Sequence, residues 1–142
     1  MKKGRLKFLF LIPIAVLVFV ATLVFASTQD SVYALTPEDI DSDGTVYEIA
    51  TAEDFAAFAK YSETHSAYGK TFILTSDIDL TALPSVNSIG SMSYPFSGIF
   101  DGNGKSLTVN ISGTDYSGLF GYVGSDGEVR SLTVKGSVSG NR

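Results

Sequence analysis

The chain has 142 residues, a formal net charge of −5 and an apolar fraction of 44%, which allows one ordinary domain and excludes a disordered polyelectrolyte. It has no cysteine and one histidine, His65. That excludes disulfide frameworks, thiolate zinc sites, cysteine nucleophiles, lipid-modified cysteines and a histidine-rich metal centre.

Lys2, Lys3, Arg5 and Lys7 precede an uncharged run from Phe8 to Ala26. A short polar stretch, Ser27 to Ser31, follows, and small residues stand at Val24-Phe25-Ala26 and Val32-Tyr33-Ala34. Basic, apolar, then small is the order of a secretory signal, so residues 1–34 read as a signal peptide cleaved after Ala34 or Ala26. An uncleaved anchor is the alternative, because the run would reach roughly 28 Å as a helix, close to the hydrocarbon thickness. Both readings place the rest of the chain outside the cytoplasm, secreted or at the cell surface, with membrane contact only through this segment. Residues 1–34 carry four bases against one acid, and residues 35–142 six bases against fourteen acids. The exported part is therefore acidic and repels phosphate backbones, so nucleic acid is not an expected partner.

Residues 35–44 read as an acidic linker. Asp39, Asp41, Asp43 and Gly44 match the start of an EF-hand loop, but the twelfth position is Ala50 and Glu48 comes two residues early. A weak calcium contact at the three aspartates stands beside the solvated-linker reading, and no metal site is assigned. Thr45 to Ile49 alternates as a short strand. Thr51 is a helix N-cap with Asp54 three residues on, and Phe55, Phe58 and Ala59 give Ala52 to Ser62 one apolar stripe. His65 follows the helix as a solvated loop residue with no evident orienting partner.

From Thr71 the helical period disappears. Phe72-Ile73-Leu74 is a β-type run. Asp77-Ile78-Asp79-Leu80 alternates, which sets Ile78 and Leu80 on one face and both aspartates on the other. Glycine then recurs from Gly90 to Gly140 at a density that punctuates short strands with tight turns.

Residues 101–109 read Asp-Gly-Asn-Gly-Lys-Ser-Leu-Thr-Val and residues 126–134 read Asp-Gly-Glu-Val-Arg-Ser-Leu-Thr-Val, identical at six of nine positions and offset by 25. A period in that range signals a solenoid with one coil per repeat. At that offset Leu107 stacks on Leu132 and Val109 on Val134 inside, with Ser106 on Ser131 and Thr108 on Thr133 outside. Asp101-Gly102 and Asp126-Gly127 then turn equivalent corners. Lys70-Thr71-Phe72-Ile73-Leu74 is a weaker echo, 35 residues before Lys105. A β-hairpin at Asp-Gly is the alternative to stacking.

The order Tyr47-Glu48-Ile49, the Phe55–Phe58 helix, Leu74-Thr75-Ser76-Asp77-Ile78-Asp79-Leu80, Ile89-Gly90, Phe96-Ser97-Gly98-Ile99-Phe100-Asp101-Gly102-Asn103-Gly104 and Gly118-Leu119-Phe120-Gly121 resembles bacterial surface proteins with the GLUG motif. The resemblance covers about residues 45 to 140. It implies a mainly β fold, the N-terminal part of a right-handed parallel β-helix, in secreted or wall-attached proteins that include adhesin-like proteins and some proteases. The 52–62 helix then caps the first coil, and the 45–142 module reads as truncated at its C-terminus. One departure is the stretch Val86-Asn87-Ser88, where the family often has tryptophan, so packing of that coil is expected to differ.

The motif carries no catalytic residue, and no catalytic, cofactor-binding or metal residue is expected. Asp77 and Asp79 share a strand face, and with Asp101 they are the carboxylates that a polysaccharide-active enzyme would draw on. No Ser-His-Asp set is recognisable around His65, and Gly102-Asn103-Gly104 lacks the Lys-Ser/Thr helix start of a phosphate loop. Asn110-Ile111-Ser112 is a formal glycosylation sequon. The expected function is a non-catalytic extracellular module with an adhesive or stalk role, its partner an extracellular ligand or a cell-wall or host-surface component. The alternatives are a polysaccharide-active β-helix enzyme and the accessory region of a secreted protease.

Overall fold

The computed structural model describes residues 34–42, 44–113 and 117–140; the proposed signal or anchor segment up to Tyr33 lies outside the described residues, as does Asp43. The described chain is mainly β. Two short helices, α1 (Pro37–Asp41) and α2 (Ala52–Ser62), accompany seven strands: β1 (Val46–Ile49), β2 (Thr71–Leu74), β3 (Ile78–Asp79), β4 (Ile99–Asp101), β5 (Ser106–Gly113), β6 (Glu128–Arg130) and β7 (Thr133–Gly140). All pairings are parallel. One sheet has the order β1-β2-β4-β6 and the other β3-β5-β7, so from β2 onward consecutive strands alternate between the two sheets. Two isolated parallel bridges, Ile89 to Phe120 and Phe96 to Val123, join the segments that return from the second sheet to the first.

Both helices start on a capping box. In α1 the Thr36 side chain accepts from Asp39 N while the Asp39 carboxylate accepts from Thr36 N; Thr51 and Asp54 repeat the arrangement in α2. Each box satisfies donors that the first helical turn leaves orphaned. The structure departs from the linker reading of residues 35–44, because α1 forms there and buries Ile40 completely. The Tyr47 hydroxyl, on β1, lies 2.8 Å from the Ile40 carbonyl oxygen and 2.6 Å from that of Gly44. A single apolar residue between the acids is too little periodicity to announce a one-turn helix, and it is the tyrosine that anchors it.

The core is aromatic. Tyr47, Phe72 and Phe100 are partners in register across β1, β2 and β4, and Phe72 and Phe100 are fully buried. Helix α2 turns Phe55 and Phe58 onto this row. The Phe58 ring stacks 4.0 Å from Phe72 and 5.8 Å from Phe100, and meets Phe96 edge-on at 5.9 Å. Phe120 closes the cluster at 5.4 Å from Phe100 and 5.5 Å from Phe96. Each ring removes on the order of 150–250 Å² from water, which is where a fold with such short strands finds its stability. The expected cap helix is present with its expected bounds. It packs on the aromatic interior, while β1 has no strand on its outer side among the described residues.

The register overturns the 25-residue stacking. Ser106 pairs with Thr133 and Leu107 with Val134, an offset of 27, while Ile99 pairs with Glu128 and Asp101 with Arg130, an offset of 29. Asp101-Gly102 leaves β4, whereas Asp126-Gly127 enters β6, so the two Asp-Gly pairs turn different corners. Leu132 is not opposite Leu107; its backbone passes so close to Gly102 that a Cβ there would meet Leu132 Cα at 2.5 Å. The reason is path length. Residues 102–105 turn the corner from β4 to β5, and only residues 131–132 turn the one from β6 to β7. The shorter corner takes the spacing from 29 between β4 and β6 to 27 between β5 and β7, and neither ladder comes down to the 25 of the sequence repeat. The Lys70–Leu74 echo fails likewise, because Thr71 pairs with Ile99 and not with Ser106.

Candidate functional site

The carboxylates singled out from the sequence lie at corners and outward positions, each engaged by its own donors. Asp77 sits between β2 and β3, and its Oδ1 accepts from Ser106 N at 2.7 Å and Ser106 Oγ at 3.0 Å. Lys135 Nζ reaches the same Ser106 hydroxyl at 3.2 Å. The Ser106 amide, then its hydroxyl, hold the Asp77 carboxyl below its ordinary value. Asp79 accepts from Thr81 Oγ1 at 2.6 Å and Thr81 N at 2.9 Å, which lowers it too, the hydroxyl first. Asp101 accepts from Asn103 N at 2.8 Å and from Arg130 Nε at 2.9 Å, and is lowered by the amide first and the guanidinium second. A general acid for sugar hydrolysis needs a carboxyl pushed upward by burial or a like charge. All three are pulled the other way, so each is an ionised acceptor within a corner.

Of the three aspartates of the acidic stretch, Asp43 lies outside the described residues, and Asp39 and Asp41 have separate partners. Asp39 is spent in the α1 capping box, and Asp41 faces His65 instead. Among the described residues no group of three His, Cys, Asp or Glu side chains is placed to hold a metal ion.

His65 has more company than its loop position suggested. Its ring stacks on Tyr61 at 4.4 Å, Nδ1 is 2.9 Å from Thr64 Oγ1, and Nε2 is 3.8 Å from Asp41 Oδ1. These groups, with Pro37, Glu38 and Lys60, line an open cleft of about 270 Å³ between α1 and the end of α2. The pairing was missed because it depends on α1, which the residue pattern did not announce. The imidazole thus stands between the Thr64 hydroxyl and the Asp41 carboxylate and links α1 to the turn after α2.

A second concavity, of about 340 Å³, lies where β3 stops. Because β3 is two residues long and β5 eight, β5 beyond Thr108 has no strand on that side among the described residues. Leu83, Pro84 and Val86 face Val109, Asn110 and Ile111 across the gap. Asn110, of the sequon, stands on the exposed face and accepts from Ser137 Oγ at 2.8 Å. The outward residues of the second sheet form polar rows across its strands: Asp79, Thr108 and Lys135, then Asn110 and Ser137, then Ser112 and Ser139.

No family model matches the chain, and no solved structure does. It is 40% identical over 76 residues to a protein of Evansella cellulosilytica named as a Gly-rich membrane protein, an alignment covering 48% of this chain and 9% of the relative. It is 29% identical over 108 residues to halomucin of Haloquadratum walsbyi, covering 67% of this chain and 1% of the relative. The chain thus spans a small fraction of the relatives it matches.

Proposed function

We propose that the chain is a non-catalytic extracellular module that winds as a right-handed parallel β-helix of the GLUG type and serves as a stalk or an adhesive surface. The observation that carries the reading is the alternation of β2 to β7 between two parallel ladders at near-constant spacing, which is how a coil returns above itself. Right-handed crossovers are the strong rule for parallel connections. The export-like N-terminus and similarity to a protein named as a membrane protein support a location outside the cytoplasm. The corner carboxylates, each lowered by its own donors, favour a structural role for the residues a polysaccharide-active enzyme would use. The polar rows of the second sheet are the surface on which an extracellular ligand or a wall component would rest.

The test is incubation of purified protein with plant, fungal and bacterial polysaccharides and with casein, alongside the Asp79→Asn variant. No release of reducing ends or peptides is expected from either protein. Sugar release by the parent that disappears in Asp79→Asn would replace this reading with the enzymatic one.

A further inference from the structure

The concavity of about 340 Å³ where β3 stops takes both its walls from the middle of the chain, the turn after β3 and the second half of β5. Small-ligand sites begin at about 300 Å³. The lining is divided by chemistry. Leu83, Val86, Val109 and Ile111 supply apolar surface, and Thr81, Ser85, Asn110 and Ser112 supply hydroxyls and a carboxamide. None of the ten lining residues carries a charge. Asp79, at the end of β3, is held by Thr81 N and Thr81 Oγ1 and stands outside the lining.

The backbone adds to this set. Ser106 N donates to Asp77 Oδ1, and Thr108 O accepts from Leu80 N. Alternation along β5 turns the N–H and C=O groups of Asn110 and Ser112 to the same side, where no strand of the described residues meets them. Donors and acceptors thus stand beside an uncharged apolar surface.

That combination selects a ligand. A charged ligand would leave its charge unpaired against neutral walls. A wholly apolar one would remove water from the Asn110 and Ser112 backbone groups and give them no partner. An extended peptide would find two edge residues, against about five or six in an ordinary strand. On the opposite wall Pro84 has no N–H, and Leu83 N already donates to Leu80 O at 3.2 Å. A pyranose ring carries hydroxyls around its rim and C–H groups on its faces, and it meets both parts of the lining without a charge.

We propose that this groove binds an uncharged saccharide, with one sugar ring resting on Leu83, Val86 and Ile111 and its hydroxyls bonded to Ser85, Asn110 and Ser112. The inference rests on the extracellular reading above only for where the sugar is met. The lining holds no aromatic ring, so the dissociation constant is expected near about 1 mM.

The full chain, labelled with nitrogen-15 and held in a phosphocholine detergent whose headgroup carries no sugar, would be titrated with cellobiose, mannobiose, xylobiose and diacetylchitobiose to about 20 mM. Digalacturonate serves as the charged counterpart. At least one neutral disaccharide is expected to shift the amides of Leu83, Ser85, Asn110 and Ser112 while those of Ala52–Ser62 stay in place, and to bind about tenfold more tightly than digalacturonate. Val86→Trp, which fills the groove, should weaken that binding about tenfold or more. Asn110→Ala, at an exposed position, should weaken it about threefold or more and gives the answer if the tryptophan disturbs the turn. No shift with any of the four, tighter binding of digalacturonate, or binding that neither variant weakens would overturn the proposal. So would binding that survives Val86→Trp and is lost in Tyr68→Ala, a side chain 74% exposed and outside the lining. Cleavage of a bound disaccharide would support the site and overturn only the non-catalytic reading.

Discussion

Asp54 shows how much one side chain carries in a chain with few ion pairs. It is 6% exposed, and its carboxylate accepts from Leu35 N at 2.7 Å, Thr51 N at 2.9 Å and Ala50 N at 3.1 Å. It thereby closes the α2 cap and ties the residue before α1 to it. Burial raises its carboxyl, but the bonds from Leu35, Thr51 and Ala50 together outweigh it, and the group lies below its ordinary value of 3.8. A carboxyl lowered in the folded state contributes stability that is present above its unfolded value and is lost as pH falls through the folded one. The urea midpoint is therefore expected to drop below about pH 4, and Asp54→Asn should flatten that drop. Asp54→Ala leaves three amide donors short of an acceptor and should cost about 2–4 kcal/mol at pH 7, measured by urea titration.

Among the elements, α2 and β7 illustrate opposite dependences. Helix α2 is locally determined: its cap, its bounds and its buried stripe all follow from residues 51–62. Thr51→Ala should cost about 1 kcal/mol of thermal stability. Phe58→Ala, which empties a site ringed by Phe72, Phe96 and Phe100, should cost about 3–5 kcal/mol. Strand β7 depends on a neighbour far along the chain. Gly136 holds φ at +110° with its Cα side against β5, so an added Cβ would meet Val109 O at 1.9 Å. Gly136→Ala is expected to strip β7 from β5, read as fast amide exchange from Thr133 to Gly140 with α2 still protected.

At the level of the whole described chain, stability is graded from the aromatic interior to the exposed strands β6 and β7. Phe100 has ordered rings from α2 and from Phe120 around it, whereas Val134 is half exposed at the open edge. A side chain buried on all sides loses more on truncation than one half exposed to water. Phe100→Ala should therefore cost several-fold more than Val134→Ala, about 4 against under 1 kcal/mol by denaturant titration. Equal costs would mean that the end layers are as well covered as the middle.

Local signals in residues 45–80 settled much of this protein. The Thr51–Asp54 cap, the 52–62 stripe and the Ile78/Leu80 alternation each act within a few residues, so composition and spacing suffice to read them. The acidic character of the corners was legible in the same way, though not that Asp77 would hold Ser106 or Asp101 hold Arg130. What only the tertiary structure decided was register and neighbourhood. Two nearly identical nonapeptides 25 residues apart fall out of phase because the chain takes 29 residues to return from β4 to β6 and 27 from β5 to β7. His65 meets Asp41 because a one-turn helix docks under Tyr47. Pairing between strands nearly thirty residues apart depends on the total path of the chain around each turn, and no window of sequence contains that sum.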